Sequence, residues 1–253
     1  MATSTRSARA RGGPRPRRPT PTAEEAPLGA PLLLVNLKSY PKSVAHGAER
    51  IGLLLETLSR SRGVAAAIAP APMDVSRLVE TLRIPVVAQH VDPLDAGPQT
   101  GFFVPEALFL AGGRGSLVNH SEHRLAPMVV RATVERLTAL GLVAVVCARD
   151  VDEARSLARL HPPYLAIEPP ELIGGDRAVS TANPGIVSGT VEAVRKISPR
   201  TLVLCGAGVH DRADVRAALA LGSVGILVAS AVATAVDPRA AIDELLEGFP
   251  ARP

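Results

Sequence analysis

Eight times in succession the chain passes from a short run of apolar residues to a longer stretch with helical spacing. The apolar runs are Leu32–Val35, Val64–Ala69, Val86–Ala88, Ser116–Val118, Val143–Cys147, Tyr164–Ile167, Thr201–Cys205 and Val224–Val228. The helical patterns that follow them are Val44–Ser61, Met73–Leu82, Pro105–Gly112, Pro127–Leu140, Val151–Leu160, Pro184–Ile197, Arg212–Leu221 and Pro238–Gly248. The apolar runs are nearly unbroken in Val, Leu, Ile and Ala, as expected of strands covered on both faces in a parallel sheet. Several helices open on Pro beside Asn or Asp, as at Asn183-Pro184 and Asp237-Pro238, and several stop at Gly63, Gly112, Gly141 or Gly222. These are recognised start and stop signals. Strict alternation over eight units predicts an α/β chain closed into a (β/α)8 barrel rather than an open doubly wound sheet. The length of 253 residues agrees, because single barrels of this class run to roughly 250. No GxGxxG opens the first βα turn, which argues against a dinucleotide site there.

Hydrophobic residues make up 47% of the chain but aromatics only 2%, with no Trp, so the expected core is aliphatic. No apolar run approaches the roughly 20 residues of a membrane helix, and no membrane partner is expected. Cys147 and Cys205 each lie inside an apolar run and read as buried structural thiols. Neither CxxC nor clustered His and Cys is present, so neither a metal nor another cofactor is expected. The net charge of +4, from 28 Lys and Arg against 24 Asp and Glu, is concentrated at one end. Residues 1–27 hold six Arg and two Glu, which leaves 22 basic and 22 acidic side chains for the rest. Residues 1–27 therefore read as a disordered Arg/Pro-rich tail and 28–253 as a single barrel domain. The tail lacks the apolar segment of a secretory signal, and a cytoplasmic protein is expected. A charge-balanced barrel gives no general case for nucleic acid. A non-catalytic barrel whose tail grips polyanions is the alternative from a different class.

In such barrels the chemistry gathers at the C-terminal ends of the strands. Strand 1 ends in Asn36-Leu37-Lys38, strand 3 in Gln89-His90-Val91-Asp92, and strand 4 in Asn119-His120-Ser121-Glu122. Strand 6 ends at Glu168, strand 7 in Gly206-Ala207-Gly208 and strand 8 in Ala229-Ser230. Strand 5 ends in Cys147-Ala148-Arg149 and offers no evident chemistry. Glu168 is followed by Pro169-Pro170, then Glu171, Leu172, Ile173 and Gly174-Gly175. Two prolines stiffen one end of that loop and two glycines free its tip. An acid beside a movable lid suits proton abstraction away from water. The small-residue turns after strands 7 and 8 let backbone N–H groups approach an anion such as phosphate. Lys38 supplies a cation facing that anion, and Asn36 shares its strand face. Glu168 and one histidine then suit acid–base work on a phosphorylated carbonyl compound. Position alone does not choose between His90, which has Asp92 nearby, and His120, which has Glu122.

Asn36-Leu37-Lys38, Asn119-His120-Ser121-Glu122, Ile167-Glu168-Pro169-Pro170-Glu171-Leu172-Ile173-Gly174, Cys205-Gly206-Ala207-Gly208 and Val228-Ala229-Ser230 resemble the signature segments of the triosephosphate isomerase family. They occur in the family's order and each falls at a predicted strand end. The likeness covers roughly residues 31–249 and is closest to the shorter, archaeal type, through Ala88-Gln89-His90-Val91-Asp92-Pro93 as well as the strand 6 segment. It implies a TIM barrel that interconverts dihydroxyacetone phosphate and D-glyceraldehyde 3-phosphate. By that resemblance His120 is the electrophile and Glu168 the base, with Asn36, Leu37 and Lys38 at the substrate. Ile173, Gly174, Gly208, Ala229 and Ser230 fall in the substrate and phosphate site. The scheme of a Glu base and a neutral His beside a closing loop is a standard worked case of pKa tuning. The short members associate as homo-tetramers, so a homo-oligomer is expected, with a tetramer favoured over a dimer. One departure is the lid tip Gly175-Asp176-Arg177, which motivates isomerisation of another short phosphosugar as an alternative.

Overall fold

The computed structural model describes residues 27–170 and 178–250. Eight strands run parallel: β1 Leu32–Asn36, β2 Ala65–Ala69, β3 Val87–Ala88, β4 Gly115–Val118, β5 Val143–Ala148, β6 Tyr164–Ile167, β7 Leu202–Cys205 and β8 Gly225–Val228. Their order is β2-β1-β8-β7-β6-β5-β4-β3. A parallel bridge between Ile68 and Val86 joins β2 to β3 and completes the ring. The helices are α1 His46–Arg62, α2 Val75–Thr81, α3 Pro105–Leu110, α4 Pro127–Ala139, α5 Val151–Ala158, α6 Val179–Ala182, α7 Pro184–Ile197, α8 Arg212–Ala220, α9 Ser230–Ala233 and α10 Pro238–Leu246. The expected (β/α)8 barrel is the observed fold. The expected tail, apart from Pro27, lies outside the described residues.

The start and stop chemistry acts as the residue types dictate. Asp150, Asp211 and Asp237 accept from backbone N–H groups in the first turns of α5, α8 and α10. Asn183 precedes α7 without making such a bond, and there Pro184 sets the entry. Gly63 closes α1 in the left-handed conformation at φ 66°, where a side chain would be strained. Helices α6 and α9 were not expected, because four residues are too few to show a period. Helix α2 starts later than its apolar pattern, since a single 3₁₀ turn, Pro72–Asp74, takes up the entry.

Alternation along each strand divides the core in two. Leu32 and Leu34 of β1, Val143, Val145 and Cys147 of β5, and Tyr164 and Ala166 of β6 pack together inside the ring. Leu33, Val35, Ala144, Val146, Leu165 and Ile167 pack outward against the helices. That two-residue period is the geometric reason both faces are apolar. At the end where the strands begin, fully buried Tyr164 plugs the ring. Its hydroxyl accepts from the Leu28 N–H at 3.2 Å and donates to the Gly29 carbonyl at 3.0 Å.

Candidate active site

The same alternation, run past the strand ends, selects what faces the mouth. On β1, Leu32, Leu34 and Asn36 share the inner face, and Lys38 is two residues further on. On β6, Tyr164 and Ala166 point inward, so Glu168 does too. On β7 and β8, Leu204 and Leu227 point inward, which brings Gly206 and Ala229 to the rim. Strand β4 departs from this rule. Leu117 faces inward, so plain alternation would turn His120 outward. Asn119 sits at φ 63° and turns the chain. Asn tolerates the left-handed region better than most residues. Its side chain secures the turn by donating to the Cys147 carbonyl at 3.0 Å and accepting from the Leu125 N–H at 3.0 Å. Lys38 is held at φ 50°, and its N–H donates to Asn36 Oδ1 at 3.0 Å. Two strained residues at one mouth fit the general concentration of backbone strain at working sites.

Asn36, Lys38, His120, Glu168, Gly206, Gly208, Val209, His210, Ala229 and Ser230 line one cavity. His120 Nε2 stands 3.5 Å from Glu168 Oε1. His120 Nδ1 accepts from the Glu122 N–H at 3.2 Å. A neutral imidazole has one donor and one acceptor nitrogen, so its proton sits on Nε2, facing the cavity. Lys38 Nζ pairs with Glu122 Oε1 at 2.7 Å. Glu168 is 3% exposed, and its Oε2 has no hydrogen-bond partner of ordinary length among the described residues.

Burial sets the protonation states. Desolvation pushes the Glu168 carboxyl up to about 7, while the Cys147 thiol, the Lys38 charge and the Ser121 N–H hold it back. Desolvation lowers His120 to about 4; Glu122 opposes this, and Lys38 and Arg124 add to it. The two shifts run in opposite directions because burial disfavours whichever form is charged. Near neutral pH the site therefore holds an uncharged imidazole beside a carboxyl group close to its own titration point.

The other expected positions are placed as follows. His90 does not line the cavity. It meets Asp92 at 3.2 Å and stacks on His123 with ring centroids 4.1 Å apart. Position along the chain leaves the two open and the family resemblance chooses His120; of the two, only His120 lines the cavity. Leu37 is fully buried in the outer core, so its side chain points away from the mouth. Ile173, Gly174 and the tip Gly175-Asp176-Arg177 lie outside the described residues. Glu122 pairs with Lys38 rather than closely with His120, whose Nδ1 is 3.8 Å from the nearer carboxylate oxygen. Strand β5, read as chemically silent, contributes the Cys147 thiol against Glu168. Alternation from Val143 would have pointed to it, since every second residue of β5 faces inward. Gly208 takes φ 67° at the rim, a conformation that favours glycine. No group of three or more potential metal ligands occurs among the described residues, and no described helix is long and apolar enough to cross a membrane.

A family model described as triosephosphate isomerase matches residues 31–245. The triosephosphate isomerase of Methanosarcina barkeri is 42% identical over 219 residues, covering 87% of this chain and 99% of that protein. That of Methanothermus fervidus is 41% identical over 219 residues, with the same shares covered. That of Methanocaldococcus jannaschii is 40% identical over 216 residues, covering 85% of this chain and 99% of that protein. With the barrel, the cavity and a match this extensive, the chain belongs to the triosephosphate isomerase family.

Proposed function

We propose that the chain interconverts dihydroxyacetone phosphate and D-glyceraldehyde 3-phosphate by proton transfer through an enediolate. The observation that carries this reading is the 3.5 Å approach of His120 Nε2 to Glu168 Oε1 in a cavity also lined by Asn36 and Lys38. Glu168 takes a proton from the carbon beside the carbonyl. The C–H electron pair becomes the carbon–carbon double bond, and the carbonyl pair moves onto oxygen. His120 gives its Nε2 proton to that oxygen and takes up the hydroxyl proton from the oxygen on the adjacent carbon, so a proton passes between the two oxygens and the imidazole ends neutral. Protonated Glu168 then returns its proton to the former carbonyl carbon as the adjacent oxygen becomes the new carbonyl, which completes the exchange of aldehyde and ketone. A base with its pKa near the working pH and a positioned donor each contribute about 10²- to 10⁴-fold to such steps.

Lys38 and Asn36 hold the substrate, and the backbone around Gly208, Ala229 and Ser230 receives the phosphate. Ile173 and Gly174 are assigned to the same subsite by family likeness. The enzyme serves glycolysis and gluconeogenesis in the cytoplasm. It works as a homo-oligomer, a tetramer by preference. Support for assembly comes from Met73, Phe102, Phe109, Leu110 and Met128, all exposed. Light scattering on the purified chain reads this directly, and a monomeric mass would overturn it. The activity is tested by supplying glyceraldehyde 3-phosphate and coupling dihydroxyacetone phosphate formation to NADH oxidation by glycerol-phosphate dehydrogenase. No turnover from folded protein with His120 and Glu168 intact would end the proposal.

A further inference from the structure

Gly206 lines the cavity, yet it is not among the glycines with positive φ. The usual reason for glycine, a left-handed backbone, does not apply there. Its neighbours supply another. The register of β6 against β7 pairs Ile167 with Cys205. Continued by one residue, it sets Glu168 beside Gly206, and the Gly206 N–H donates to the Ile167 carbonyl at 3.0 Å. Both residues have inward parity, so a side chain at 206 would stand directly beside that of Glu168. A Cβ built on Gly206 falls 2.6 Å from Glu168 Cγ and 3.2 Å from Glu168 Oε1. It also falls 3.2 Å from the Ile167 carbonyl oxygen. The backbone contact is tight, whereas the contact with Cγ is an overlap. Cγ is not the free end of a flexible chain. Moving it means rotating a 3% exposed side chain about its first bond, and the carboxylate moves with it.

We propose that Gly206 is a positioning residue for the isomerisation: its missing side chain is the space in which Glu168 is held within reach of the substrate carbon. This rests on Glu168 being the base. A displacement near 1 Å at a reacting group costs about 10²-fold in rate. Gly206→Ala is therefore expected to lower kcat by about 100-fold with KM within about threefold. The acid limb of kcat/KM should move to lower pH, because the displaced carboxylate leaves the dry site that raises it.

The test is a double-mutant cycle with steady-state kinetics and thermal melting on the full chain. Glu168→Ala removes the overlapping Cγ, so Gly206→Ala should lower the melting temperature clearly less in that background than in the unmodified chain. An equal melting shift in both backgrounds, or an unmoved acid limb in Gly206→Ala, would overturn the proposal. If Gly206→Ala alone does not fold, the pair Gly206→Ala with Glu168→Ala should fold, since of the three nearest contacts only that with the Ile167 carbonyl remains. Failure of that pair to fold places the constraint on the backbone and overturns the proposal too. Should Glu168→Ala keep full activity, the role of Glu168 as base fails instead. In that case the melting cycle alone decides whether the two side-chain positions are coupled.

Discussion

The two ends of this barrel are built from the same eight strands to opposite rules. Where the strands begin, Tyr164 is fully buried, but both hydrogen-bonding roles of its hydroxyl are filled by Leu28 and Gly29. Apolar Leu32 and Leu34 fill the space above it. Where the strands end, Glu168 is also buried, but among the described residues Oε2 has no ordinary hydrogen bond and Ser121 Oγ is unpartnered as well. Lys38 and Asn119 hold left-handed backbones at that end. An unsatisfied buried polar group costs about 1–3 kcal/mol. The mouth therefore spends stability and the base of the barrel supplies it, in one continuous sheet.

If that contrast is right, substitutions at the mouth should damage turnover and spare or raise stability, while those at the base should do the reverse. The largest effect is expected from Glu168→Gln. It should lower kcat by about 10³-fold or more, since the proton acceptor is lost. The same change should stabilise the fold much more at pH 8 than at pH 5. The sign follows from the native carboxyl standing near 7 against 4.5 for an ordinary one. Such a group favours the folded state below pH 4.5, and that advantage is lost as pH rises through 7. At about 1.36 kcal/mol per tenfold, the Gln variant should gain up to about 3 kcal/mol at pH 8. Chemical denaturation at the two pH values measures it, and a loss of stability at pH 8 would break the contrast.

Next comes Leu32→Ala, inside the ring near its base. It should cost about 2–5 kcal/mol, as large-to-small core changes do, with kcat per folded molecule unchanged. A tenfold fall in kcat would show that the two ends are not separable. Tyr164→Phe should cost less, about 1–3 kcal/mol, because it leaves the Leu28 N–H and the Gly29 carbonyl unpaired. The smallest effect is one of conditions. In the unmodified chain, kcat/KM should fall below an apparent pKa near 7, as Glu168 takes up its proton. His120 should add no second limb until about pH 4. An acid limb near 4.5 would mean that the carboxyl is solvated and the mouth is not the dry site described.

The architecture could be read from residue types, because its causes are local. Branched apolar runs with both faces covered imply parallel strands, and Asp or Pro before and Gly after mark the helices between them. Once strands are placed, a period of two decides which side chains face inward, and that rule brings Asn36, Lys38 and Glu168 to one mouth. It also reaches Cys147, which its apolar neighbours disguised as packing. His120 is an exception to the period and depends on the left-handed turn at Asn119. The short helices α6 and α9 fall below the length at which a period shows.

What chain order does not carry is which strands become neighbours in what register, and how dry each position becomes. Those depend on contacts between residues far apart along the chain. Position along the chain does not divide His90 from His120; the family resemblance names His120, and the structure adds that His90 meets Asp92 and His123 outside the cavity. The rise of Glu168 to about 7 comes from burial by several strands at once. Gly206 matters only because β7 lies one strand away from β6, so that a missing methyl on one leaves room for a carboxylate on the other. Periodicity acts over a few residues, whereas solvent exclusion and steric exclusion act through space, and only a closed ring brings the two together.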